Sequence, residues 1–406
     1  MNSRPWFASV QTSRARVMGF GVALALILGG VDVLAASPGR GTAPSACMPW
    51  TRWNAFKQTF IDPAGRVVDA GSADHRTVSE GQAYGLFFAL VANDRPTFDR
   101  LLAATRDSLA RGDLTKHLPA WLWGRRSGGG FGVLDDNSAS DADLWLAYSL
   151  LQAGRLWHER RFTALGTSIA RQILSKETAQ LPGLGWTILP GAHGFHVDKA
   201  TWRLNPSYLP PQVLGGIAAA LPGQYRWRAV IASSLRVLRE TAPHGFAPDW
   251  VLYRQDDGPR GFVPDDASHA EGSYNAIRVY LWLGMLSDQD RAAPRLLRIY
   301  RPMADYIEKN GFPPEEVDTV RASFGKDSGN AGFSAAVVPF LLSQGKPELA
   351  EAQIARVRWL EARTPSGYYS QALSLFGLGW QEGRFRFSSD GSLRVSWREL
   401  CRRGAN

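Results

Sequence analysis

Ala139-Ser140-Asp141-Ala142-Asp143-Leu144-Trp145-Leu146-Ala147-Tyr148-Ser149-Leu150-Leu151-Gln152-Ala153-Gly154-Arg155-Leu156-Trp157 is the stretch whose periodicity decides the fold. Ala139, Asp143, Leu146, Leu150 and Ala153 fall on one helical stripe, with Ala147, Leu151 and Gly154 beside it, so the stretch reads as a helix that buries a broad face. Ser140 or Asp141 is placed to cap its first turn, where free N–H groups favour an oxygen acceptor. Asp143 on the inward stripe breaks the pattern. A buried carboxylate is costly unless it is paired or hydrogen-bonded, so Asp141 and Asp143 are either capping groups or members of a polar site.

Helical patterns of this kind recur along the chain, and strand signals are sparse. Helices are expected at 51–61, 80–93, 96–111, 140–157, 161–175, 207–221, 224–241, 274–287, 293–309, 333–344, 347–362 and 367–379. Several are paired across short turns such as Asn93-Asp94-Arg95-Pro96. No strict sequence repeat links them, which disfavours a solenoid of regular units. About twelve helices in one domain predict an all-α fold closed as a double ring of helix pairs. The connections at 112–139, 176–206 and 242–273 are long, and loops of that length in a compact domain usually serve function. They hold Trp121, Trp123, Trp202, Asp249, Trp250 and Tyr253, with Tyr208 just beyond, which predicts an aromatic- and acid-lined groove at one end. The 15 tryptophans, many beside polar residues, suit the apolar C–H faces of sugar rings.

Arg4, Arg14 and Arg16 precede an apolar run from Val17 to Gly30, and Val33-Leu34-Ala35-Ala36-Ser37 follows. A basic start, an apolar run too short to span a bilayer and small residues at its end read as a secretory signal peptide cut after Ala35 or Ala36. Asp32 argues against an uncleaved anchor. The expected organisation is a signal peptide at 1–36, a linker at 37–44 and a single domain at 45–406, periplasmic or secreted, with no stable membrane anchor after cleavage. The only cysteines, Cys47 and Cys401, stand at opposite ends of the mature chain, and in an exported protein they most simply close a disulfide. There is no CxxC, and neither a metal nor a cofactor is expected. The formal charge of +9 is mostly arginine and scattered, without the basic stripe that nucleic acid would need.

A second acidic stretch is Thr77-Val78-Ser79-Glu80-Gly81-Gln82-Ala83-Tyr84-Gly85-Leu86-Phe87-Phe88-Ala89-Leu90. Ser79 reads as an N-cap and Glu80 as a first-turn acid complementing the helix dipole. Gly81 and Gly85 each weaken a helix by roughly 1 kcal/mol relative to Ala, so room for a ligand beside the carboxylate is the functional reading.

Ser79–Gly85, the signature at 139–157 and Trp202-Arg203-Leu204-Asn205-Pro206-Ser207-Tyr208 together resemble glycoside hydrolase family 8. The likeness is strongest to the branch of periplasmic endo-β-1,4-glucanases found with bacterial cellulose synthase. It runs from Cys47 to Cys401 through Leu118-Pro119-Ala120-Trp121-Leu122-Trp123-Gly124, Pro248-Asp249-Trp250-Val251 and Phe385-Arg386-Phe387, with Leu146 replacing the usual Ile or Met. The resemblance implies an (α/α)6 barrel and inverting hydrolysis of β-1,4-glycosidic bonds in cellulose or cello-oligosaccharides. It also implies a link to the cellulose synthase complex, while chitosan and xylan remain alternative substrates. Inversion needs an acid and a base whose carboxyls stand roughly 6.5–9.5 Å apart to admit the attacking water. By resemblance Glu80 is the acid, and Asp141 lies beside it, positioning the distorted sugar and keeping Glu80 protonated. A helix N-terminus lowers a Glu pKa, so burial among aromatics such as Tyr84, or an ionised neighbour, must outweigh it. Arg278 contacts the sugar or positions the base. Trp121, Trp123, Trp202, Tyr208, Tyr368 and Tyr369 are the implied stacking platforms, and Tyr84 and Asp249 are counted with the substrate-binding residues.

The base is where the sequence departs from the family. Its Tyr-Asp-Ala-x-Arg motif reads Tyr274-Asn275-Ala276-Ile277-Arg278, and a neutral amide cannot accept the proton of water. Three accounts follow: a variant impaired at Asn275 that binds glucan and cuts it poorly, a base supplied by Asp265 in the preceding loop, or a base at Asp249.

Overall fold

Successive helices along the chain alternate between two kinds of surface, and that alternation builds the architecture. The computed structural model describes residues 48–255 and 260–399; the expected signal peptide, linker and Cys47–Cys401 disulfide lie outside them. The helices are α1 (Thr51–Phe60), α2 (Ser79–Val91), α3 (Arg95–Ala104), α4 (Ser140–Trp157), α5 (Arg160–Lys176), α6 (Pro211–Ala220) and α7 (Arg226–Glu240). They continue with α8 (Ile277–Gly284), α9 (Ala293–Asn310), α10 (Ala331–Ser343), α11 (Pro347–Glu361), α12 (Tyr368–Gln381) and a one-turn α13 (Ser396–Glu399). Every residue of α2 except Glu80 is buried, α8 is buried throughout, and α4 exposes only Arg155 and Trp157. A helix apolar on all sides must be enclosed. By contrast α5 buries one stripe that includes Phe162, Ile169, Ala170 and Ile173, and α9 one of Leu296, Tyr300, Met303, Ala304 and Ile307.

The even-numbered helices through α12 form an inner ring: α2 packs on α4, α4 on α6, α6 on α8, α8 on α10, α10 on α12, and α12 back on α2. The odd-numbered ones lie outside, α3 on α2, α5 on α4, α7 on α6, α9 on α8, α11 on α10 and α1 on α12. This is the (α/α)6 barrel expected. Each outer helix returns the chain, so the inner helices all begin at one end.

All twelve expected helices are present, with shifted ends. Pro210 and Pro211 delay α6, leaving a 3-10 turn at Pro206–Tyr208 where continuous helix was expected. The expected 96–111 helix widens after Ala104 into a π turn, Thr105–Leu109. The connections between helices contain short strands that the sequence did not announce. Those bearing on the site are β1 (Thr77–Val78) with β2 (Leu122–Arg125) and β3 (Phe131–Asp135), the hairpin β4 (Thr178–Leu181) and β5 (Gly185–Ile188), and a four-stranded antiparallel sheet. That sheet comprises β6 (His196–Asp198), β7 (Thr201–Leu204), β8 (Val251–Arg254) and β9 (Gly261–Pro264). Segments of two to five residues are too short for a period-two pattern to be read. Among the described residues no helix is long and apolar enough to cross a membrane.

Inner helices touch closely enough to exclude side chains. A Cβ on Gly377 would stand 1.9 Å from the Ala335 carbonyl oxygen, and one on Gly284 would stand 2.1 Å from the Phe340 nitrogen. Both obstacles are backbone, so neither yields by a rotamer change. Gly377→Ala is expected to destabilise the fold by about 1–3 kcal/mol, despite the ~1 kcal/mol gained in helix propensity. Urea unfolding monitored by circular dichroism checks this; a variant as stable as the parent would show that α10 and α12 can move apart.

Candidate active site

The head of the inner ring concentrates charge above a closed aromatic floor. Tyr84 on α2, Trp145 on α4, Trp282 on α8 and Phe376 on α12 pack with ring centroids 5.0–6.4 Å apart and seal the barrel. One helical turn above three of them, at i−4, stand Glu80, Asp141 and Arg278.

Arg278 is the hub. Its side chain is 2% exposed. Nη1 donates to Glu80 Oε2, to Asp141 Oδ2 at 2.8 Å and to the Tyr84 hydroxyl at 3.2 Å. Nη2 donates to Ser207 Oγ at 3.1 Å and to Asn275 Oδ1 at 2.7 Å. Burying this cation is tolerable because two carboxylates face it. Burial pushes Glu80 up to about 7; the Arg278 charge pulls it down and the Asp141 charge pushes it up again. Asp141 is likewise raised by burial and opposed by Arg278. Burial therefore outweighs the helix N-terminus at Glu80, as a general acid requires. The Tyr368 hydroxyl lies 3.4 Å from Glu80 Oε1.

The cluster unites a proton donor near neutrality, an ionisable partner and aromatic neighbours in Tyr84, Tyr208 and Tyr368, the equipment for cleaving a glycosidic bond. Residues 41–383 match the sequence profile described as "Glycosyl hydrolases family 8". The chain belongs to that family. It is 48% identical over 360 residues to "Endoglucanase" of Xanthomonas axonopodis pv. citri, covering 88% of this chain and 91% of that protein. The crystal structure of endo-1,4-D-glucanase from Vibrio fischeri ES114 superposes with a TM-score of 0.79 at 43% identity, covering 86% of this chain and all of that one. Endo-beta-1,4-glucanase CMCax from Acetobacter xylinum shares the fold, with a TM-score of 0.68 at 24% identity over 84% of this chain and 98% of that one.

In this family 8 hydrolase the expected residues divide. Glu80, Tyr84, Asp141, Asn275 and Arg278 meet in one hydrogen-bonded cluster, and Tyr368 touches it through Glu80. Tyr208 is buried, its ring 5.5 Å from the Arg278 guanidinium and 6.1 Å from Trp250. Tyr369 donates to the Tyr274 carbonyl at 2.5 Å, holding the turn before α8. Asp249 acts on the same turn. Its Oδ1 accepts from the backbone N–H of Ser273, Asn275 and Ala276 at 2.8, 3.1 and 2.7 Å, and its pKa is raised by burial against those hydrogen bonds. Asp265 is engaged elsewhere, its Oδ2 taking Arg203 Nη2 at 2.7 Å and Nε at 2.8 Å.

The expected platforms are partly occupied. Trp123 packs with the Arg66 guanidinium at 4.1 Å and the near-parallel Phe131 ring at 5.2 Å, and Arg66 also lies 6.0 Å from Phe131. Trp202 lies under the parallel imidazole of exposed His196 at 4.9 Å. Trp121 is half-buried, and its carbonyl accepts from Ser79 N–H at 3.0 Å, fixing the start of α2.

Three local expectations need correction. Ser79 does not cap α2 with its side chain, and no side chain caps α4; Asp141 Oδ1 instead accepts from Ala142 N–H at 2.8 Å. Nor do Gly81 and Gly85 leave room for ligand. A Cβ at Gly81 would meet Val67 and Tyr368 within 3.4 Å, and one at Gly85 would meet Leu101 and Val67 within 3.3 Å. Gly81 thus admits the tyrosine that reaches Glu80. Ser207, a ligand of Arg278, and Glu271, pushed up to about 7 by burial and by the charges of Glu316, Asp249 and Glu315, were not singled out. Ser207 sat inside a quoted motif, whereas nothing in the sequence marked Glu271.

Proposed function

We propose that the chain hydrolyses internal β-1,4 bonds of a glucan such as cellulose by a single displacement with inversion. Glu80 protonates the departing glycosidic oxygen, Asp141 and Arg278 hold the central sugar, and burial together with the Asp141 charge keeps Glu80 protonated in its resting state against the pull of Arg278. The observation that carries this reading is the Glu80–Arg278–Asp141 cluster, with Glu80 near 7 above an aromatic floor. Endoglucanase relatives at 44–48% identity support the choice of glucan over chitosan or xylan. Export to the periplasm or beyond, and service to cellulose production alongside a synthase complex, belong to the same proposal; the basic-then-apolar N-terminus supports the first.

Asn275 favours a second element of the reading, a chemistry impaired at the base. Its amide stands at the motif position where the family carries its base, and its oxygen accepts from Arg278. Neither alternative carboxylate is free of structural work, Asp265 being paired with Arg203 and Asp249 holding three backbone N–H groups. The chain on this reading binds glucan well and turns it over slowly.

Reducing-end release from carboxymethyl-cellulose, xylan and chitosan tests the substrate, with glucan expected to be cut fastest. An NMR time course on cellohexaose is expected to show α-anomeric product first; β-anomer at early times would overturn inversion.

A further inference from the structure

Behind Asp141 lies a second pair of carboxyls that the proposed chemistry does not use. Asp143, two residues further along α4, is 0% exposed, and so is Glu177, which follows the last residue of α5. The two side chains are in hydrogen-bonding contact. Among the described residues neither oxygen of Asp143 meets an N–H or hydroxyl donor, and neither does Glu177 Oε2. Ionised carboxylates only accept, so the contact closes only with a proton between them. Among the described residues no cation forms an ion pair with either carboxyl, and only the charge of Lys176 offsets theirs. The charged groups facing it are Asp141 and Lys176. The Lys176 ammonium is turned to the Lys116 carbonyl at 3.1 Å and Gln172 Oε1 at 2.9 Å, and Arg278 reaches Asp141 instead.

The pair also sits at a junction. Ser138 Oγ donates to Glu177 Oε1 at 2.5 Å and accepts from Ala192 N–H at 3.2 Å. The Glu177 carbonyl accepts from Leu189 N–H at 2.8 Å, and Ser140 N–H donates to the Pro190 carbonyl at 3.0 Å. Glu177 therefore ties the end of α5, the strand–turn segment 189–192 and the residues leading into α4 to one point.

We infer that Asp143 and Glu177 share one proton and form a positioning pair that fixes Asp141 at the head of α4. The inference rests on the proposed role of Asp141 at the sugar. With the proton in place the pair carries a single negative charge; without it, two like charges would face each other in a site closed to water and push the first turn of α4 away from α5. Burial raises both groups, and Glu177 reaches about 7, so the proton is retained where Glu80 is also protonated.

Thermal unfolding of E80Q protein, in which Glu80 no longer titrates, reads the proton directly. A carboxyl whose folded pKa stands above its unfolded value stabilises the fold below that window and loses the contribution as pH rises through it. Tm of E80Q is expected to fall as pH rises from about 5 to about 8, and E80Q/E177Q to fall less steeply, because a carboxamide donates to Asp143 at every pH. Equal slopes would overturn the shared proton. In the otherwise unaltered chain, E177Q is expected to keep kcat within about threefold below about pH 6 and to make the alkaline limb shallower, whereas E177A lowers kcat about tenfold or more with KM unchanged. Equal losses in both variants, or none in either, would overturn the positioning role. A failure of the hydrolase reading shows instead as no glucan turnover in any variant, and leaves the Tm comparison to decide the proton.

Discussion

Asn275→Asp raises the turnover of β-1,4-glucan by about 10²- to 10⁴-fold, the range that a positioned general base supplies. The substitution keeps size and shape, and Arg278 Nη2, 2.7 Å from Asn275 Oδ1, is already in place to hold the new carboxylate. Asp249 sits against the same side chain. Burial raises the pKa of Asp249 while three backbone N–H groups favour its ionised form, and its charge when ionised raises the pKa of an aspartate at 275 toward a useful value for a base. The added negative charge also pushes Glu80 above its present value near 7, and the alkaline limb of activity moves up with it. Initial rates on cellohexaose across pH check both effects. Unchanged or lower turnover would place the base elsewhere, and Asp265→Asn and Asp249→Asn would then separate the remaining candidates.

Glu80→Gln has the opposite effect. It is expected to lower kcat by about 10²- to 10⁴-fold while cello-oligosaccharide affinity changes by less than about threefold. A carboxamide keeps the acceptor oxygen that Arg278 uses but has no acidic proton for the leaving group. The sign of the pH dependence follows from the same residue. A general acid works protonated, so parental activity is full below about 7 and declines above it. Calorimetric titration with cellopentaose separates binding from chemistry. Activity retained in Glu80→Gln would remove Glu80 from the acid role and direct attention to Asp141.

Hydrophobic periodicity was enough to place the helices, because helices enclosed on all sides and helices with one apolar stripe both leave long patterns. The ends were less legible where prolines intervene, as at Pro210 and Pro211, and the two- to five-residue strands of the connections between helices left no pattern at all. The site was legible where a residue type is unusual for its setting, such as Glu80 on a buried helix or Asp141 in the signature. Long-range geometry was not. Nothing local says that Arg278 joins Glu80, Asp141, Ser207 and Asn275, that Arg203 occupies Asp265, or that Arg66 and Phe131 both pack on Trp123. The contact between Asp143 and Glu177 was equally invisible, joining residues 34 positions apart.

The closure of the inner ring bears on how the molecule assembles. α12 packs against both α1 and α2, Arg52 on α1 pairs with Glu361 on α11 at 2.8 Å, and Tyr148 on α4 donates to the Gly391 carbonyl at 2.7 Å. In an open stack of helix pairs each unit meets only its neighbours, and order can spread from any point. A ring denies that route, since its last contacts join the two ends of the sequence and demand the largest loop closures. During synthesis α2 and α4 stand with apolar sides uncovered until α12 has emerged, and in the finished protein the loss of one helix pair opens the rest. The domain is therefore expected to form late, slowly and as one cooperative unit.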